Sequence, residues 1–119
     1  MTLFYKGTMI WGVVTGSARD GRIFEGFCSG TAPATIMATY RNGWVYEGIL
    51  TGFVGNVIGR YKNGFIYRGS YMGVSTCVGR YQNGFIYRGT LCHFSNAVGR
   101  YKGSDEEGAA LGIYYLFRK

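Results

Sequence analysis

The sequence predicts an all-β fold of consecutive antiparallel β-hairpin repeats, about 20–22 residues each, forming an elongated, curved or closed sheet. Three observations predict it. Gly59-Arg60-Tyr61-Lys62-Asn63-Gly64-Phe65-Ile66-Tyr67-Arg68-Gly69 recurs almost letter for letter as Gly79-Arg80-Tyr81-Gln82-Asn83-Gly84-Phe85-Ile86-Tyr87-Arg88-Gly89, and a repeat of this length implies a repeated supersecondary unit. Asp20-Gly21, Asn42-Gly43, Asn63-Gly64 and Asn83-Gly84 follow one another at offsets of 22, 21 and 20 residues. Such dipeptides between apolar alternations are the strongest short-range hairpin signal, because both residues tolerate positive φ. Finally, 21 Gly, 11 Tyr and 8 Phe stand against one proline, Pro33. That composition suits short strands and tight turns and excludes a disordered chain, which would be poor in aromatics, and a collagen.

Taken in order, residues 3–16 form a half-repeat that opens on Leu3-Phe4-Tyr5-Lys6-Gly7, the second half of a unit without its first. Repeats start near residues 17, 38, 59 and 79, and 99–119 is a divergent terminal unit that begins as Gly99-Arg100-Tyr101-Lys102-Gly103. With 119 residues the whole has the size of a single domain. Residues 31–35, around Pro33, read as an irregular link, and 109–117 as a final strand or short terminal cap, since no segment shows a helical period.

The turn decides which side chains share a face. A two-residue loop pairs Lys62 with Phe65 and Tyr61 with Ile66, mixing basic and aromatic residues on both faces. A three-residue loop pairs Tyr61 with Phe65, places Tyr61, Phe65 and Tyr67 together, and leaves Arg60, Ile66 and Arg68 opposite. The second register sorts the residues better and is the one expected. Stacked across repeats, the aromatics form columns: Tyr5, Phe24, Tyr46, Tyr67 and Tyr87; then Tyr40, Tyr61, Tyr81 and Tyr101; then Trp44, Phe65 and Phe85. Aromatic cross-strand pairs stabilise a thin sheet. Gly7, Gly26, Gly48, Gly69 and Gly89 follow the first column by two, where they leave room for close approach or kink the strand. An open array would expose two sheet edges. The half-repeat at 3–7 and the segment after Gly99 are placed to meet, within one chain or between two.

The spacing Tyr67-x-Gly69-x-Tyr71, followed by Gly79-x-Tyr81-x-Asn83-Gly84, resembles the MORN repeat. Partial copies stand at Tyr5-x-Gly7, Phe24-x-Gly26, Tyr46-x-Gly48 and Tyr87-x-Gly89, so the likeness covers residues 3–101. The unit is slightly shorter than that family's, and Tyr61, Tyr81 and Tyr101 replace the second Gly of its Gly-x-Gly. The resemblance implies hairpins laid side by side, a scaffold or binding role, association with membrane lipid, and dimerisation through array ends. Choline-binding cell-wall repeats share the length but carry Trp-Tyr-Tyr clusters, whereas this chain has only Trp11 and Trp44; a carbohydrate-binding module ranks below the other readings.

Thirteen Lys plus Arg against 6 Asp plus Glu give a net charge of +7. Three of those acids cluster as Asp105-Glu106-Glu107, so the rest of the chain is more basic still. This balance suits a polyanion, either nucleic acid or anionic lipid head groups, or an acidic protein. Arg60, Arg80 and Arg100 form one basic column and Arg68 and Arg88 another. With Lys62 and Trp44 they are the candidate partner-binding or polyanion-binding residues. Basic residues interleaved with rings suit single-stranded nucleic acid, and the same set suits anionic lipid. Arginine lying over a ring also stabilises a sheet with no ligand at all. Glu25 and Glu47 occupy the Arg68 and Arg88 column, where charge balance between strands explains them.

Catalytic and cofactor chemistry is not legible. His93 is the only histidine and has no evident nucleophile or carboxylate partner. The glycine-rich run from Gly52 lacks the lysine and following helix of a phosphate loop. Cys28, Cys77 and Cys92 have no metal-type spacing and read as reduced thiols buried in strands. No 18-residue apolar run and no basic-then-apolar leader occur, so a cytoplasmic location is expected. The function expected is therefore a non-catalytic binding, scaffold or inhibitor module for a protein partner or polyanion, without cofactor or metal. A homodimer through the sheet edges is the further expectation.

Overall fold

The computed structural model describes residues 1–7, 14–26, 36–48, 56–90 and 92–117. Trp11, Cys28, the link at 31–35 and the glycine-rich run at 52–55 lie outside the described residues. Among the described residues ten strands make one antiparallel sheet: β1 Thr2–Lys6, β2 Gly16–Arg19, β3 Arg22–Glu25, β4 Ile36–Arg41, β5 Trp44–Glu47, β6 Val57–Lys62, β7 Phe65–Arg68, β8 Cys77–Gln82, β9 Phe85–Arg88 and β10 Ala97–Lys102. One helix follows them, α1, Asp105–Leu116.

The sheet is a closed barrel in which each strand pairs with its neighbours in sequence and β1 pairs with β10, Leu3 opposite Lys102 through Lys6 opposite Gly99. Of the sheet shapes expected, the closed one is found and the elongated one is not. Closure within one chain also uses both edges through which a dimer was expected to form.

Each predicted Asp-Gly or Asn-Gly sits in a two-residue turn with both residues at positive φ, for example 52° at Asn63 and 85° at Gly64. These are the values of a type I′ turn, whose twist matches that of the flanking strands. Lys62 therefore lies opposite Phe65, Tyr61 opposite Ile66, Arg60 opposite Tyr67 and Gly59 opposite Arg68. The three-residue register is overturned: Tyr61, Ile66 and Arg68 share the lumen face, while Arg60, Phe65 and Tyr67 face outward. Separating bases from rings is the wrong criterion here, because the outer face packs guanidinium against aromatic, as described below.

Successive hairpins are joined by ladders that each carry a bulge. Ile66 opposes Gly79 while Tyr67 opposes Cys77, so Val78 is the extra residue; Met37, Ile58 and Val98 are its counterparts. Bulges raise local twist and bend a sheet toward closure. Of the five glycines after the first aromatic column, Gly7, Gly48, Gly69 and Gly89 hold these bulges from the other strand, while Gly26 N–H donates to the Thr15 carbonyl. Gly69 N–H donates to the Ile58 carbonyl and Gly89 N–H to that of Val78. Their φ values are positive and a Cβ on them would meet nothing, so of the two roles expected of them they serve backbone conformation and not close approach.

Close approach belongs to a different set. Gly16, Gly59, Gly79 and Gly99 face the lumen, where a Cβ on Gly59 would lie 2.6 Å from Ile113 Cγ2 and one on Gly79 would lie 2.9 Å from Phe117. They make space for α1, which fills the barrel. Seven consecutive helix residues, Gly108 to Tyr114, are buried, so the helix is covered on every side. Gly108 packs under the Tyr101 ring and Gly112 against Ile86. Leu111, Ile113, Ile23, Val45, Ile66, Ile86 and Phe4 are fully buried around it. Each such side chain contributes about 1.5–3 kcal/mol by leaving water. The final strand or cap expected at 109–117 is thus the core helix. Cys77 lies at the start of β8 and Cys92 in a loop, both free and half-buried, so Cys92 is not the strand thiol expected.

Candidate functional site

The barrel has two ends. The tight turns and the start of α1 lie at one, the turn-side mouth. The longer connections and the end of α1 lie at the other, the loop-side mouth.

At the turn-side mouth, Ser104 caps the helix, its Oγ accepting from Glu107 N–H at 3.2 Å. The Glu107 carboxylate accepts from Thr2 Oγ1 at 2.7 Å and from the Tyr40 hydroxyl, joining β1, β4 and α1. Tyr101 donates to Asp105 Oδ1 at 2.6 Å. Acids in a first helical turn also suit the positive end of its dipole. Burial, and then the hydrogen bond to Glu107, pushes the Tyr40 hydroxyl well above the ordinary tyrosine range, and burial does the same for Tyr61, Tyr81 and Tyr101. The whole second aromatic column therefore lines this mouth as neutral hydroxyls. The Tyr61 and Tyr81 rings meet edge to face at 6.2 Å.

Around the outside of the barrel runs a belt of arginines and rings. Arg60 on β6 lies over Trp44 at 3.8 Å, Arg80 on β8 over Phe65 at 4.4 Å, and Arg100 on β10 over Tyr5 at 5.1 Å. Along each strand the rings also meet, Trp44 with Tyr46, Phe65 with Tyr67 and Phe85 with Tyr87. Arg80 Nε donates to the Gly64 carbonyl at 3.3 Å, while Arg60 Nε is buried against the indole with no hydrogen-bond partner among the described residues. Lys62 is exposed beside Asp105 and Glu106, in the cleft next to the turns. Of the predicted site residues, Arg60 and Trp44 pack on each other, Arg80 and Arg100 each lie on a separate ring, and Lys62 shares the turn-side cleft with Arg60.

The loop-side mouth differs in chemistry. Lys6, Glu25, Glu47, Arg68 and Arg88 are the last residues of β1, β3, β5, β7 and β9, each opposite a small lumen-facing residue: Gly99, Gly16, Ala38, Gly59 and Gly79. By strand order the rim reads Lys6, Arg88, Arg68, then Glu47 and Glu25, a cationic arc facing an anionic one. A cavity of about 390 Å³ opens there, lined by Glu25, Met37, Arg68 and Arg88 and floored by Tyr114, Tyr115, Leu116 and Phe117 of the helix end. Its size is within the range of small-molecule sites. Glu25, Arg68 and Arg88 are exposed, and none has a hydrogen-bond or ion-pair partner among the described residues. Arg88 lies 5.6 Å from the Phe117 ring, the loosest of the four cation–π contacts. The floor is tied to the barrel wall: Tyr115 donates to the Phe24 carbonyl at 2.9 Å and stacks on Phe4 at 5.7 Å. Sequence reasoning misses Glu25 and the floor of this site, the floor because it misses the helix.

His93 lies in the loop between β9 and β10. Its Nδ1 is 2.8 Å from Ser95 Oγ and accepts from Ser95 N–H at 3.2 Å, a local turn that ties the imidazole to its own backbone. No group of three or more His, Cys, Asp or Glu that could hold a metal ion occurs among the described residues. No described helix is long and apolar enough to cross a membrane. Comparison of the chain with protein-family models, with curated proteins and with solved structures finds no match.

Proposed function

We propose that the chain is a non-catalytic binding module of MORN-like hairpin repeats, and that its ligand site is the loop-side mouth, where Arg68 and Arg88 receive an anionic group of the partner. One observation carries this reading: Arg68 and Arg88 line a cavity without a carboxylate partner among the described residues, Arg88 only loosely over Phe117 at 5.6 Å, whereas Arg60, Arg80 and Arg100 pack more closely on rings of the outer belt. A guanidinium free of an ion pair at a cavity wall is suited to forked recognition of a carboxylate or phosphate.

The single-stranded nucleic-acid reading loses support on the same ground. Base stacking needs open ring faces, and Trp44, Phe65 and Tyr5 each have a guanidinium over one face. What still favours that reading is the column of arginines on alternate strands, roughly 10 Å apart, whose edges suit a phosphate chain.

Titration of the folded protein with benzoate, followed by amide NMR, tests the proposal. Shifts should centre on Arg68, Arg88 and Phe117, and the Arg68→Gln, Arg88→Gln double variant should bind at least about tenfold more weakly. Equal binding by the double variant, or shifts centred on Arg60 and Arg80, would place the anion site on the outer belt instead.

A further inference from the structure

The loop-side rim carries both signs of charge, and this restricts what it takes beyond an anionic group. We infer that the loop-side mouth is a site for a small zwitterion with an apolar body, of the amino-acid or short-peptide class: its carboxylate against Arg68 and Arg88, its ammonium against Glu25, and its side chain on Tyr115 and Phe117. The inference rests on the reading of this mouth as the ligand site.

Four features lead to it. Arg68 and Arg88 end strands two apart in the sheet, so their backbones are roughly 10 Å from each other, close enough for both side chains to reach one carboxylate. Glu25 lines the same cavity from β3, and strand order separates it from Arg68 by the whole Glu47 arc. Glu25 and the two arginines therefore stand on different walls of the cavity, with no ion pair between them among the described residues. The negative end of the α1 dipole points into this mouth, which adds to the pull on an ammonium group and opposes an extended polyanion. Between the charges the surface is aromatic and aliphatic: Tyr114, Tyr115, Leu116 and Phe117. A polyanion would have to place like charge on Glu25 and Glu47, at a cost that a zwitterion avoids.

The test uses the full chain and the dipeptide Phe-Phe, with its N-acetyl and C-amide derivatives, in isothermal titration. The free dipeptide should bind about tenfold or more tightly than either derivative. In Glu25→Gln the N-acetyl penalty should vanish while the C-amide penalty persists, and in the Arg68→Gln, Arg88→Gln double variant the reverse should hold. Binding of the N-acetyl derivative as tight as that of the free dipeptide would overturn the zwitterion inference and leave the anion-site reading standing. Failure of all three peptides to bind, with benzoate still recognised through Arg68 and Arg88, would likewise overturn the zwitterion inference alone. If neither the peptides nor benzoate bind, both readings fall. Circular dichroism of each variant, expected to match the parent because these are exposed rim residues, guards against loss through unfolding.

Discussion

The two mouths of the barrel are built from the same repeat yet treat charge in opposite ways. At the turn side two of the three acids of α1 are taken up by the fold: Glu107 by Thr2 and Tyr40, Asp105 by Tyr101. At the loop side, Glu25, Arg68 and Arg88 line a cavity and have no such partners among the described residues. A repeat fixes backbone position, and so it delivers a side chain to the same place in every unit. What that side chain then does depends on whether something sits opposite it. The tyrosines of the turn side meet the start of the helix, while the rim residues of the loop side meet its end across open space. Hydrogen bonding inside the fold stabilises; charge left facing a cavity is available to a ligand.

The first way to break this comparison is to loosen the element both mouths share. Leu111 is fully buried in the middle of α1, and Leu111→Ala should lower stability by about 2–5 kcal/mol, seen as a lower midpoint in urea unfolding. A much smaller shift would mean that the barrel does not depend on its plug. Next comes the turn side itself. Glu107→Ala leaves the Thr2 and Tyr40 hydroxyls without their acceptor and should cost about 1–3 kcal/mol, whereas removing a rim carboxylate with Glu25→Ala should leave the melting temperature nearly unchanged.

A pH scan sharpens the contrast further. Tyr40, Tyr61, Tyr81 and Tyr101 are all held protonated to higher pH than in the unfolded chain, chiefly by burial. A pKa raised by folding contributes stability that is complete below the unfolded value, about 10 for tyrosine, and is lost as pH rises above it, because the unfolded state then releases protons that the folded state retains. Thermal melts should therefore move to lower temperature as pH passes about 10, and less steeply in Tyr61→Phe, which has one fewer group to titrate. An alkaline profile identical in the two proteins would count against the buried-hydroxyl account. The smallest stability effect belongs to the Arg68→Gln, Arg88→Gln pair: within about 0.5 kcal/mol by urea unfolding, despite its loss of benzoate binding.

Much of this architecture is legible in the sequence, and the failures have identifiable causes. Asp20-Gly21 and the three Asn-Gly pairs mark their turns correctly, because type I′ geometry demands residues that accept positive φ at both positions. The register at Tyr61 and Phe65 is misjudged when tidy separation of aromatics from bases serves as the criterion. Arg60 on Trp44 shows that a guanidinium and a ring belong on the same face when they stack. The helix goes unseen because periodicity is a signature of helices with one wet face. One covered all round by a barrel has no such face, and Gly108, Ala109, Ala110 and Gly112 leave its apolar pattern weak as well. Its start is nonetheless written in the chain, since Ser104 and Glu107 have the spacing of a helix cap, with acids filling the first turn. At the site, Arg68 and Arg88 stand out as a column, while Glu25 reads as mere charge balance because the sequence does not show that the column ends at a rim around a cavity.

The place of α1 after all ten strands has a consequence for how the chain is made. Synthesis delivers β1 through β10 before the segment that fills them, so the strands leave the ribosome ahead of the core that would hold them together. Thr2 and Glu107, which clasp the finished barrel, are 105 residues apart, and their contact cannot form until all ten strands exist. Completion thus resembles the insertion of a cork more than the growth of a repeat array. Nascent chains arrested before Ser104 should be digested by protease along their whole length, and protection should arise in one step once the helix has emerged; protection that grows hairpin by hairpin would show instead that each repeat holds itself together.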